Sequence, residues 1–153
     1  MTTPEMVMQY ARWSARLIGF PPRMDLPEGE GIEGFRNFSE FWSARGMVPD
    51  SMEVEFIRQF AGGSGVILDV GANLGTHAFT LATMRPSCVV HAFEPSPQTV
   101  KRLKANVIRN DASNVVIHPI ALGDVPGKLQ FNNDQSSPGT NRIISNAESS
   151  LSL

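Results

Sequence analysis

The chain of 153 residues has a single cysteine, Cys88, so neither a disulfide framework nor a cysteine-based zinc constellation can be written for it. No apolar run approaches the roughly 18 residues that a membrane helix needs, which excludes a spanning reading. The N-terminus, MTTPEMVMQYARW, lacks a basic start and an apolar stretch and does not read as an export signal. Charge of one sign is lacking too. Lys and Arg number 13 against 15 Asp and Glu, and a net charge of -2 leaves no basic footprint for nucleic acid. Internal repeats are absent. With 41% hydrophobic and 18% charged residues, the composition is that of an ordinary globular domain, at a length that fits one core. These features favour a reducing, cytoplasmic setting and say nothing about chemistry.

Three stretches follow one another along the chain. Residues 1–60 read as an N-terminal helical cap. Met6, Val7, Tyr10, Trp13, Leu17 and Ile18 fall at helical spacing; a proline- and glycine-rich loop follows, then the short helix of FRNFSEFW and a better one over residues 51–60. Residues 61–145 alternate differently. Apolar strands at 66–70, Cys88–Phe93 and NVVIHPIAL are separated by helices over Thr76–Met84 and over a segment that opens on Ser96 with Pro97 behind it. Strand, helix, strand, helix, strand implies parallel pairing with right-handed crossovers, and nearly continuous apolar strands predict a sheet covered on both faces. Val100, Leu103, Val107 and Ile108 are spaced for the buried side of the second helix. A further short strand is expected near Leu129 to Phe131, and residues 146–153 form a polar tail.

The informative stretch is VILDVGANLGTHAF, where an apolar strand stops on Asp69 and a glycine-broken loop leads into a helix. Ligands of open α/β sheets sit at the carboxyl ends of the strands, and glycines let backbone approach them. A dinucleotide loop would read G-x-G-x-x-G; here Gly71, Asn73 and Gly75 break that spacing, and Asp69 would repel a pyrophosphate. S-adenosylmethionine carries an ammonium and a sulfonium, which a carboxylate at that place attracts. The next strand ends on Glu94, placed to accept hydrogen bonds from ribose hydroxyls. Asp69 and Glu94 are therefore expected to end neighbouring strands, to face one crevice with the loop, and to raise each other's proton affinity.

DVGANLG, FEPSP, LKANVIRN and ALGD together resemble the FkbM-type family of S-adenosylmethionine-dependent methyltransferases, over roughly residues 50–145. The resemblance implies an α/β class I methyltransferase-like (Rossmann-like) doubly wound parallel sheet of about seven strands. It implies methyl transfer, usually to oxygen, on a small molecule or sugar. By position, Asp69, Gly71, Ala72, Asn73 and Gly75 would hold the methionine end, Glu94 the ribose, Pro95 and Ser96 the adenine side, with Ala121 and Leu122 near the adenine. Asn106 fits the family's helix pattern as a structural residue. The family's later half, with a motif resembling D-x-E-G-x-E, has no counterpart before Leu153, so the sequence reads as the N-terminal part of such an enzyme. The partner implied is a small-molecule acceptor bearing a hydroxyl, with no nucleic acid and no membrane. A non-catalytic nucleotide-binding or interaction module remains the alternative. No catalytic base and no metal ligand are assigned.

The remaining candidates have plainer readings. His77 is read as a helix-surface histidine, His91 as a packed strand residue, and His118 as a strand-end residue facing either the cofactor side or solvent. Cys88 is read as a small buried hydrophobe. Lys101, Arg102, Lys104 and Arg109 are read as a solvated basic helix face.

Overall fold

The structure, a computed structural model, describes residues 23–125, 127, 130–131 and 143–144. The amphipathic segment at the N-terminus and the polar tail lie outside the described residues. The proline- and glycine-rich stretch, expected as loop, carries a short antiparallel pair, β1 (Met24–Asp25) with β2 (Gly31–Ile32). Two helices follow, α1 (Phe38–Arg45) and α2 (Ser51–Phe60). The main unit is β3 (Gly65–Val70), α3 (Thr76–Met84), β4 (Cys88–Phe93), α4 (Pro97–Arg109) and β5 (Val115–His118). A last antiparallel pair joins β6 (Gln130–Phe131) to β7 (Ile143–Ile144).

Local chemistry explains the boundaries. Asn37 caps α1 by accepting from the Glu40 amide at 2.8 Å. Asp50 and Glu53 form a reciprocal capping box on α2. Ser96 caps α4, with Pro97 in its first turn. The strands β3, β4 and β5 lie in that order and pair in parallel, Gly65 opposite Cys88 and Val90 opposite Val115. Ile32, Phe35, Leu74, Phe79, Val90 and Leu103 are fully buried, so the core lies between the sheet, α3, α4 and the segment around β2.

Two features depart from the sequence pattern among the described residues. The strands are apolar on both sides, yet the described helices cover one face only: Val66, Leu68 and Val70 are 66%, 60% and 62% exposed. Ile108 is 80% exposed, because Asn106 takes the buried position on α4 beside Leu103. No described helix is long and apolar enough to cross a membrane.

Asn106 and its neighbour one turn on do what a strand would do. Asn106 Oδ1 accepts from Glu33 N at 3.1 Å while its Nδ2 donates to Glu33 O and to Leu74 O, each at 3.3 Å. Asn110 repeats the exchange with Gly31, accepting from its N–H and donating to its carbonyl, both at 2.9 Å. A helix rises about 6 Å over four residues, close to the roughly 6.6 Å between alternate strand residues, so the two amides read one backbone edge in register. Through Leu74 the same clamp holds the loop that leaves β3.

Candidate functional site

The loop 71–75 is tied to the end of β4 by its own backbone. Gly71 N and Ala72 N both donate to Phe93 O, at 2.9 and 3.0 Å, and Gly75 N donates to Ala72 O at 2.8 Å. The turn requires left-handed backbone at Gly71 (φ 84), Asn73 (φ 50) and Gly75 (φ 101). The two outer glycines serve differently. Nothing lies within 4 Å of where a Gly71 Cβ would be, so the backbone there is open to approach. A Cβ on Gly75 would fall on the Phe79 ring and 2.9 Å from Leu103 Cδ1, so this glycine is needed for packing.

Glu94 is the hinge of the site. It is 8% exposed, and its two oxygens accept from Asn73 N at 3.1 Å and from Ser96 N at 2.8 Å, joining the loop after β3 to the loop after β4. Asp69 pairs with Ala92 in the parallel register, which puts Glu94 two residues beyond on the same side of the sheet. Burial raises the Asp69 carboxyl above its ordinary value, against the pull of the His77 ring and the Ala78 N–H. Burial likewise raises Glu94, opposed by the Ser96 and Asn73 amides and by Arg102, while the charge of Asp69 pushes it further up. The two carboxylates sense each other. Asp69 Oδ2 is buried with no hydrogen-bond partner, and the cavity that Asp69 lines does not include Glu94 or the loop 71–75.

Beside Asp69 a cavity of about 650 Å³ opens between α2, α3 and β3, with Met52, Phe56 and Ile67 as its apolar wall. His77, a helix residue with a 40% exposed side chain as expected of a surface histidine, also borders this cavity, its Nε2 3.9 Å from Glu53 Oε1. The other sequence-nominated residues scatter. Ala72 is buried, Pro95 half-buried, and Ser96 buried as the cap of α4. Ala121 and Leu122 are exposed beyond β5. Cys88 is buried as expected, its Sγ 3.5 Å from Gly62 O.

Three groupings escaped the sequence. His91 Nδ1 and His118 Nε2 are 2.7 Å apart, and Phe93 stacks on His118 with ring centroids 4.6 Å apart, all on the bare side of the sheet, away from Asp69 and Glu94. Arg102, read as solvated, is 15% exposed and ion-paired with Glu40, itself 4% exposed. Arg109 pairs with Glu33 at 3.2 Å. No local pattern announces partners so far apart along the chain; the helical spacing of Asn106 and Asn110 was the one signal available.

Residues 69–152, more than half of the chain, match the model of the methyltransferase FkbM domain, which begins at Asp69 itself. The chain belongs to the FkbM methyltransferase family. The chain is 28% identical over 126 residues to the hexuronic acid methyltransferase AglP of Haloferax volcanii, covering 80% of this chain and 50% of that protein. It is 29% identical over 103 residues to the ribosomal RNA small subunit methyltransferase G of Beutenbergia cavernae, covering 67% and 46%. The chain thus spans about half the length of these curated relatives. In three dimensions it resembles P. horikoshii TYW2, whose structure is a complex with MeSAdo, at a TM-score of 0.51 and 16% identity over 82% of this chain and 53% of that one. That likeness concerns the fold, and it makes the FkbM chain's architecture that of a class I methyltransferase.

Proposed function

We propose that this chain is the methyl-donor-binding part of an S-adenosylmethionine-dependent methyltransferase acting on a hydroxyl of a small molecule or sugar. The observation that carries the reading is the buried, unpartnered Oδ2 of Asp69 beside a glycine loop whose backbone is open at Gly71. An acceptor left without a donor suits a ligand that brings a positive N–H group, and would cost stability otherwise. In this reading Asp69 takes the ammonium and the backbone of Gly71, Ala72 and Asn73 lines the methionine end. Glu94 uses the lone pairs left by its two amide bonds for ribose hydroxyls, while Pro95, Ser96, Ala121 and Leu122 border the adenine. When bound, the donor supplies a methyl already activated on sulfur. The chain's share is to orient it and to keep Asp69 and Glu94 charged against burial.

The acceptor class rests on two supports. One relative is named for a hexuronic acid, and a chain with a net charge of -2 is poorly suited to RNA, the substrate in the other relative's name. A second reading, a nucleotide-binding module without turnover, is favoured by the open edge of β3, which pairs with β4 alone among the described strands.

Calorimetry with S-adenosylhomocysteine tests the site, with NAD as the control. The demethylated donor is expected to bind and NAD to give no signal; NAD binding without donor binding reverses the assignment. Glu94→Ala is expected to weaken donor binding by about 1–3 kcal/mol, with Glu94→Gln as the variant that keeps the side chain's volume. Methyl release from labelled donor in the presence of uronic acids separates the enzyme from the binding module.

A further inference from the structure

Along the flank of α4 runs a groove of about 380 Å³ lined by Glu33, Gly34, Arg36, Lys101, Arg102 and Arg109. None of the donor-site residues lines it. Four cationic side chains meet one lining carboxylate there, with the buried Glu40 behind them. Glu40 engages both Arg36, at 3.4 Å through Nε, and Arg102; Arg109 is matched to Glu33. Two carboxylates against four cations leave an excess of positive charge in a chain whose overall charge is negative. Lys101 is exposed and has no ion pair among the described residues. Arg36 Nε is buried and makes no hydrogen bond.

The acids that neutralise part of this charge also fix it in place. Glu40 Oε2 accepts from Arg36 N at 2.6 Å, so the carboxylate that grips Arg36 and Arg102 is anchored to the backbone of the groove wall. Gly34, at φ 86, forms a floor without a side chain. Guanidinium groups held this way, Arg102 also donating to Thr99 Oγ1 at 3.5 Å, are fixed in position, the arrangement that favours planar or tetrahedral oxyanions over a diffuse attraction for any anion.

We propose that this groove is an oxyanion site for a small ligand bearing a phosphate or a carboxylate, separate from the methyl-donor site. Lys101 supplies the mobile charge at its mouth, Arg36 and Arg102 the fixed donors within.

Titration of inorganic phosphate and, separately, of glucuronate into the full chain at low ionic strength, without methyl donor, tests it. One of the two is expected to saturate with a Kd in the range of about 1 mM. Saturation by phosphate alone assigns a phosphate ligand, and saturation by glucuronate alone a carboxylate. Lys101→Glu is expected to weaken that binding about tenfold or more, the scale of one charge-assisted hydrogen bond. Lys104→Glu, exposed on the same helix and not lining the groove, is expected to leave it unchanged. Both positions are exposed, so both variants fold. Saturation by neither anion, or equal weakening by both variants, overturns the proposal. Because no methyl donor is present, either result is independent of the donor site.

Discussion

Asp69 carries opposed demands at the scale of one residue. Burial makes its charge costly in the folded chain, against the pull of His77 and the Ala78 N–H, and its charge in turn pushes Glu94 up. Both carboxyls hold their protons to higher pH when folded than their ordinary values of 3.8 and 4.5. Between those values and the raised ones the folded state binds more protons than the unfolded state. Stability contributed by these groups therefore falls as pH rises through that window, and the full cost is present above it. Asp69→Asn keeps an acceptor for the Ala78 amide and removes the charge. It is expected to raise the urea midpoint at neutral pH and to flatten the decline from about pH 4 upward. The same change should weaken binding of S-adenosylhomocysteine about tenfold, through loss of a charged acceptor. A midpoint unchanged across the whole pH range would show that the carboxylate is not strained by burial.

At the scale of elements, two residues hold several segments each. Asn106 joins β2's continuation, the donor loop and α4 through three hydrogen bonds. Asn106→Leu strands the Glu33 N–H and two carbonyls in a fully buried place. A loss of about 2–4 kcal/mol is expected in denaturant titration, together with faster exchange of the Glu33 amide. Gly75 marks the start of α3, where no side chain caps the helix. Gly75→Ala must combine a left-handed backbone with overlap against Phe79 and Leu103, so a cost of about 2–4 kcal/mol is expected in urea. If alanine were tolerated there, the tight packing of loop on helix would not be what the glycine is for.

The molecule as a whole has a two-sided character. One face of its sheet is covered by α3 and α4, while Val66, Leu68 and Val70 stand exposed on the other, and Met52, Phe56 and Phe60 of α2 are 77%, 63% and 64% exposed. An apolar face of this extent next to β3, an edge strand among the described residues, invites association. Leu68→Lys is expected to leave the urea midpoint within about 0.5 kcal/mol of the parent, as for other exposed positions. It should also lower concentration-dependent association in sedimentation experiments. Persistence of that association in the variant would locate the sticky surface elsewhere, with α2 the next place to test.

What the sequence determined by itself was local. The period of the apolar residues, Ser96 and Pro97 at one helix start, and the glycines after Asp69 placed α3 at Thr76–Met84 and β4 at Cys88–Phe93, and they nominated the loop and both carboxylates. Such signals act over one turn of helix or a few strand residues, so they can be read along the chain. Tertiary structure alone decided which sheet face is covered, since strands apolar on both sides suit either. It alone joined Arg102 to Glu40, His91 to His118, and Asn106 to Glu33, because those contacts arise only when distant segments pack. It also set the burial that raises the proton affinity of Asp69 and Glu94, a property of the surroundings that no spacing of residues encodes.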